Sequence, residues 1–161
     1  MFNLKRILCP TDLSENSRKA VTMTLSLAHK YDAQAFFLYV TDRPSRSAYD
    51  TNPGVKAEME SIEDDERAVR EDVRNANEYL ETEGEPMLPD DRLMYRVASG
   101  NIAEEIIRAS EDAGVDLIVM GSHGRVTISE FILGSSAERV VKRATCNVLV
   151  VKPEGFPYLR D

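Results

Sequence analysis

Short apolar runs alternate with helix-length amphipathic segments along this chain, and that alternation leaves few folds open. Ile7, Leu8 and Cys9 centre a run from Lys5 to Pro10. AFFLYV (Ala35 to Val40), DLIVM (Asp116 to Met120) and Cys146 to Val151 are largely apolar on both faces, the pattern of strands inside a parallel sheet. Arg92 to Ala98 alternates instead. Arg96 would be costly inside a sheet covered on both faces, so this run predicts an edge strand. Between the runs lie helical patterns. Ser14 to Tyr31 places Val21, Leu25 and Ala28 on one face. Ala57 to Glu83 spaces Met59, Ile62, Val69, Val73, Ala76 and Leu80 for a second helix, with Glu63, Asp64, Asp65 and Glu66 on its solvated side. Asn101 and Glu104 form a capping-box pattern that opens a third helix, ending near Gly114. Ala137, Val140, Val141 and Ala144 mark a fourth.

Strands that alternate with helices predict a parallel sheet with helices on both faces. Right-handed crossovers reduce the options to a single doubly wound, Rossmann-like α/β domain of five strands. Its expected span is residues 1–152, with a mobile polar loop at about 41–56, acting as a lid or a spacer, and a short tail at 153–161. Ligands of such sheets bind beyond the carboxyl ends of the strands, where the strand order reverses. That rule selects Pro10 to Asp12, Val40 to Asp42, and the segment from Gly121 onward. The final strand raises a separate matter. An apolar edge must be covered or paired, either by a helix or the tail, or by a second copy in a homodimer.

Charge and composition exclude several classes. Acidic residues outnumber basic ones by 28 to 20, a net charge of −8. No basic stripe exists to neutralise a nucleic-acid backbone or an anionic membrane surface. A length of 161 residues suits one domain with a full core. The two cysteines, Cys9 and Cys146, lie in apolar stretches without CxxC spacing and read as buried thiols in a reducing compartment. No secretory leader or bilayer-length apolar run is recognisable, which predicts a cytoplasmic protein. Only two histidines occur, with no HExxH, so no dedicated metal site is expected.

The segment GSHGRVTISEFILGSS, Gly121 to Ser136, carries the strongest chemical signal. Gly121 and Gly124 let backbone leave a buried strand at unusual angles and approach a ligand closely. Gly134, Ser135 and Ser136 stand where a helix begins. Unpaired N–H groups and the helix dipole there favour an anion such as phosphate. His123 and Arg125 place further donors beside them. A plain strand-to-helix loop with Ser135 or Ser136 as its cap has the same residue types. Two other nucleotide motifs, GxxxxGK[ST] and a GxGxxG after the first strand, do not occur.

The spacing G-x2-G-x9-G-S resembles the ATP-binding signature of the universal stress protein family. ILCPTDLSENS resembles that family's first strand and turn, and GSHGR, GSSAERVVKRA and CNVLVVK resemble its wording elsewhere. The resemblance implies a sheet of order 3-2-1-4-5, often a homodimer through the last strand, and ATP held between the turn Pro10, Thr11, Asp12 and the glycine loop. By position, Asp12 and the backbone of Val40 would contact the adenosine end. Met120 and Gly121 would line the same pocket. Gly124, Gly134, Ser135 and Ser136 would hold the phosphates, with His123 and Arg125 near them. Leu13 departs from the pattern, standing where a glycine is common, and Ser136 stands where many members have valine.

Three functions follow from these residues. The first is an ATP-binding regulator in the stress response, acting on an adenine nucleotide and an unidentified protein partner. The second is a slow ATPase or phosphotransferase that modifies Ser135, Ser136 or Thr127. The third is a protein-interaction module of the same fold. No catalytic residue is assigned. Asp12 suits a ribose hydroxyl, the Mg²⁺ of MgATP through water, or a cap for the helix at Ser14.

Overall fold

The computed structural model describes residues 3–41, 53–123 and 133–153. In chain order the elements are β1 (Arg6–Pro10), α1 (Glu15–Tyr31), β2 (Gln34–Thr41), α2 (Pro53–Thr82), β3 (Leu93–Ser99), α3 (Ile102–Asp112), β4 (Leu117–Gly121), α4 (Ser135–Arg143) and β5 (Asn147–Val151). The strands form one five-stranded parallel sheet of order β3-β2-β1-β4-β5. The doubly wound α/β fold and its strand order are therefore as expected.

Adjacent strand residues point to opposite faces, and this builds two cores. Ile7, Cys9 and Phe37 face Val21 and Leu25 of α1 and Val69 and Val73 of α2. Leu8, Leu38 and Ile118 face Ile106 of α3 and Val140 of α4. The chain winds outward from β1 to β3, then crosses to β4 on the other side of β1. The strand order thus reverses between β1 and β4, which sets the crevice at their carboxyl ends.

Local chemistry sets the helix limits. Ser14 caps α1 by accepting the Ser17 N–H at 3.3 Å, and Asn101 caps α3 by accepting the Glu104 N–H at 3.2 Å. Gly114, at φ 57°, closes α3, with the Val115 N–H reaching back to the Ser110 carbonyl at 3.0 Å. β3 is an edge strand, and Arg96 is half-exposed and pairs with Asp112 at 3.4 Å.

Most strand ends lie one residue from the sequence reading, and three differences bear on the site or its surroundings. Helix α2 begins at Pro53, not near Ala57. Proline serves well as a first helical residue because the N–H it lacks has no partner there. The expected 41–56 loop therefore loses Thr41 to β2 and 53–56 to α2; its remainder, and the tail beyond Pro153, lie outside the described residues. Strand β5 begins at Asn147, and Cys146 precedes it, half-buried against the α3/α4 core.

Candidate functional site

The crevice between β1 and β4 gathers most of the expected residues. Pro10 ends β1, and the Thr11 N–H continues the sheet by bonding the Leu38 carbonyl at 2.9 Å. Thr11 is buried, and its hydroxyl meets Ser17 Oγ at 3.0 Å while accepting the Leu13 N–H at 3.1 Å. Asp12 Oδ1 accepts the Ser14 N–H at 2.9 Å. Pro10 pairs with Leu38, so Val40, two residues on, lies level with Asp12. Met120 is buried, and extending the β1–β4 register sets it level with Pro10. Val40, Ala98 and Leu133 are partly buried against the same α3/α4-side core that contains Met120, an apolar shelf at the strand ends.

The glycines here are required by close approach. A Cβ on Gly121 would lie 3.3 Å from the Asn16 carbonyl oxygen of α1. A Cβ on Gly134 would lie 3.0 Å from the Ser122 carbonyl oxygen and 3.4 Å from His123 Cα. The unusual backbone angle expected at Gly121 does not occur. It ends β4 in extended conformation, and a side chain there would press on the Asn16 carbonyl at the start of α1. The left-handed residue at this site is Leu13, at φ 63°.

Ser122 was not selected from the sequence, yet it holds the site together. Its N–H donates to the Val151 carbonyl of β5 at 3.0 Å, and its carbonyl accepts the Gly134 N–H at 2.8 Å. Its hydroxyl lies 2.9 Å from His123 Nδ1. Both side chains are buried. No spacing rule marks such a residue, because its partners come from β5 and α4. Asn16 was missed for the same reason, since only its backbone meets Gly121.

Gly134 is the N-cap of α4, and Ser135 and Ser136 are its first two residues. Unlike α1 and α3, α4 has no side-chain hydrogen bond at its cap. Its start, with the unpaired N–H groups and positive dipole end of any helix N-terminus, lies beside the end of β4, where Gly134 meets Ser122 and His123. Gly124 and Arg125 lie outside the described residues. Just below the crevice, burial pushes the Cys9 thiol up to about 12, so it stays protonated and unreactive at neutral pH.

Among the described residues no helix is long and apolar enough to cross a membrane. The model of the universal stress protein family matches residues 3–152. Universal stress protein MJ0577 of Methanocaldococcus jannaschii is 32% identical over 155 residues, covering 92% of this chain and 94% of its own. The solved structure of universal stress protein UspA from Lactobacillus plantarum superposes with a TM-score of 0.67 at 26% identity, over 92% of this chain and 98% of that one. A universal stress protein solved in complex with cAMP shares the fold, with a TM-score of 0.62 at 20% identity, over 93% of this chain and 98% of that one. With the sheet order, the crevice and the family match in agreement, the chain belongs to the universal stress protein family.

Proposed function

We propose that this protein binds ATP, with Mg²⁺, in the β1/β4 crevice and acts as a nucleotide-dependent regulator in the stress response. One observation carries the reading. The end of β4 is wedged between the starts of α1 and α4, at two glycines where an added Cβ would press on backbone oxygens at 3.3 and 3.0 Å, and α4 opens there without a side-chain cap. The cAMP-bound relative of the same fold supports an adenine nucleotide as the ligand class.

The residues fit such a ligand in kind. The apolar shelf of Val40, Ala98, Leu133 and Met120 suits an adenine base, and the Val40 backbone would read its edge. Asp12 would take a ribose hydroxyl or the metal's water. Gly124, Gly134, Ser135 and Ser136 would hold phosphates, with His123 and Arg125 near them and Pro10 and Thr11 at the opposite wall. The β5 edge, with Leu149 exposed on it and Val141 exposed on neighbouring α4, would seat a second copy in a cytoplasmic homodimer.

The test is direct. Freshly purified protein is denatured and the released small molecules are identified by mass spectrometry; adenine nucleotide is expected. MgATP should raise the melting temperature, and Gly134→Ala should lower affinity at least tenfold with an unchanged far-UV spectrum. No released nucleotide and no thermal shift with MgATP would sink the proposal.

A further inference from the structure

An open cavity lies away from the crevice, on the α3 side of the sheet, between β2, β3 and the end of α3. It measures about 320 Å³, a size that suits a small molecule. Strand alternation explains its lining. Phe37 and Tyr95 turn toward α2, where their rings stack at 5.9 Å and Arg70 covers Tyr95. Their neighbours Phe36, Leu38, Met94 and Arg96 take the other face and form the floor. Ala109 and Ala113 of α3 form the wall, and their small side chains leave the space open. On this face β3 stays accessible: Met94 is 39% exposed and Arg96 is half-exposed.

Two opposite charges stand at the mouth. Arg96 Nη1 meets Asp112 Oδ2 at 3.4 Å, longer than the about 2.7–2.9 Å of a tight charge-assisted bond. Both side chains are half-exposed, so the pair contributes little and opens readily. A guanidinium has several N–H donors and a carboxylate several lone pairs, and one long contact uses little of either. An anion seated here would be attracted by Arg96 and repelled by Asp112, and a cation the reverse. A ligand with both charges side by side on an apolar body is attracted by both and rests on the apolar floor.

We propose that this cavity binds an apolar α-amino acid, with its carboxylate on Arg96, its ammonium on Asp112 and its side chain over Phe36, Leu38 and Met94. The ligand would part a loose ion pair and give each charge a closer partner, so no charge is left unmatched. The proposal does not rest on the nucleotide reading, since Arg96 and Asp112 take no part in the β1/β4 crevice.

The test uses L-phenylalanine, titrated into ¹⁵N-labelled protein and read by amide shifts. Saturable shifts are expected at Phe36, Leu38, Met94, Arg96, Ala109 and Ala113, with an affinity of about a millimolar or tighter. N-acetyl-L-phenylalanine, which keeps only the negative charge, and L-phenylalaninamide, which keeps only the positive one, should each bind about tenfold more weakly. Arg96→Gln should weaken L-phenylalanine about tenfold. Asp112→Asn should also weaken it, yet strengthen N-acetyl-L-phenylalanine by removing the repulsion, a reversal that loss of a merely structural ion pair would not produce. Both side chains are half-exposed, so the fold should persist in each variant, as a thermal melt would show. Absence of saturable shifts, or shifts centred on the β1/β4 crevice, would overturn the proposal. Equal binding of N-acetyl-L-phenylalanine and L-phenylalanine by the parent would overturn the amino-acid class.

Discussion

Leu13 offers the sharpest test of the backbone at this site. Its φ of 63° is left-handed, and its N–H is held by Thr11 Oγ1 at 3.1 Å, so the turn fixes that conformation. A left-handed residue with a Cβ costs about 1–2 kcal/mol. The leucine side chain offsets this by packing, half-buried, against the α1/α2-side core. Half of a full leucine burial is worth about 1–1.5 kcal/mol. Leu13→Ala keeps the strain and loses the packing, and should destabilise by about 1–1.5 kcal/mol. Leu13→Gly loses the same packing and relieves the strain, but gives back about 0.5–1 kcal/mol through glycine's freedom in the unfolded chain. The glycine variant should therefore be more stable than the alanine variant by about 0.5–1 kcal/mol, the reverse of their order in most of a protein. Urea denaturation monitored by circular dichroism decides this, as a difference in midpoint at equal m-value. If Leu13→Ala equals or exceeds Leu13→Gly, the backbone strain assigned to this turn is wrong.

Two other predictions concern the thiol and the sheet edge. Burial raises the Cys9 thiol from 9.0 to about 12 in the folded chain, while the unfolded chain ionises near 9.0. Its contribution is therefore complete below pH 9 and is lost as pH rises toward 12, at up to about 1.4 kcal/mol per pH unit. Cys9→Ala should show a shallower alkaline decline in melting temperature; identical declines would remove Cys9 as its source. At the sheet edge, Leu149 is 37% exposed on β5. Leu149→Lys should convert the proposed homodimer to monomer in sedimentation velocity, and a persistent dimer would place the seam elsewhere.

The arrangement of strands and helices was legible because each run answered to a local rule. AFFLYV and DLIVM had to be buried on both faces, and they occupy β2 and β4 beside the central β1. Arg96 had to reach water, and it lies on an edge. Asn101 was recognisable as a cap because its partner Glu104 is three residues away. What escaped depended on contacts between distant segments. The approach of Gly121 to Asn16, and that of Gly134 to Ser122, appear only when α1, β4 and α4 are assembled. Leu13 looked like a simple departure from a family pattern; its left-handed angle gives the physical reason a glycine suits that position. Pro53 misled because proline marks loops and helix starts equally well.

The hydrogen bond from the Gly134 N–H to the Ser122 carbonyl has a wider consequence. It closes the chain between those residues into a ring whose two ends are fixed by the sheet and by α4. Both partners of that bond are main-chain groups, so it does not depend on which side chains stand between them. The anchor points therefore stay in register at a fixed spacing while the intervening side chains vary. One scaffold can in this way keep a constant grip at the anchors and vary what the ring contacts, separating the evolution of specificity from that of the fold.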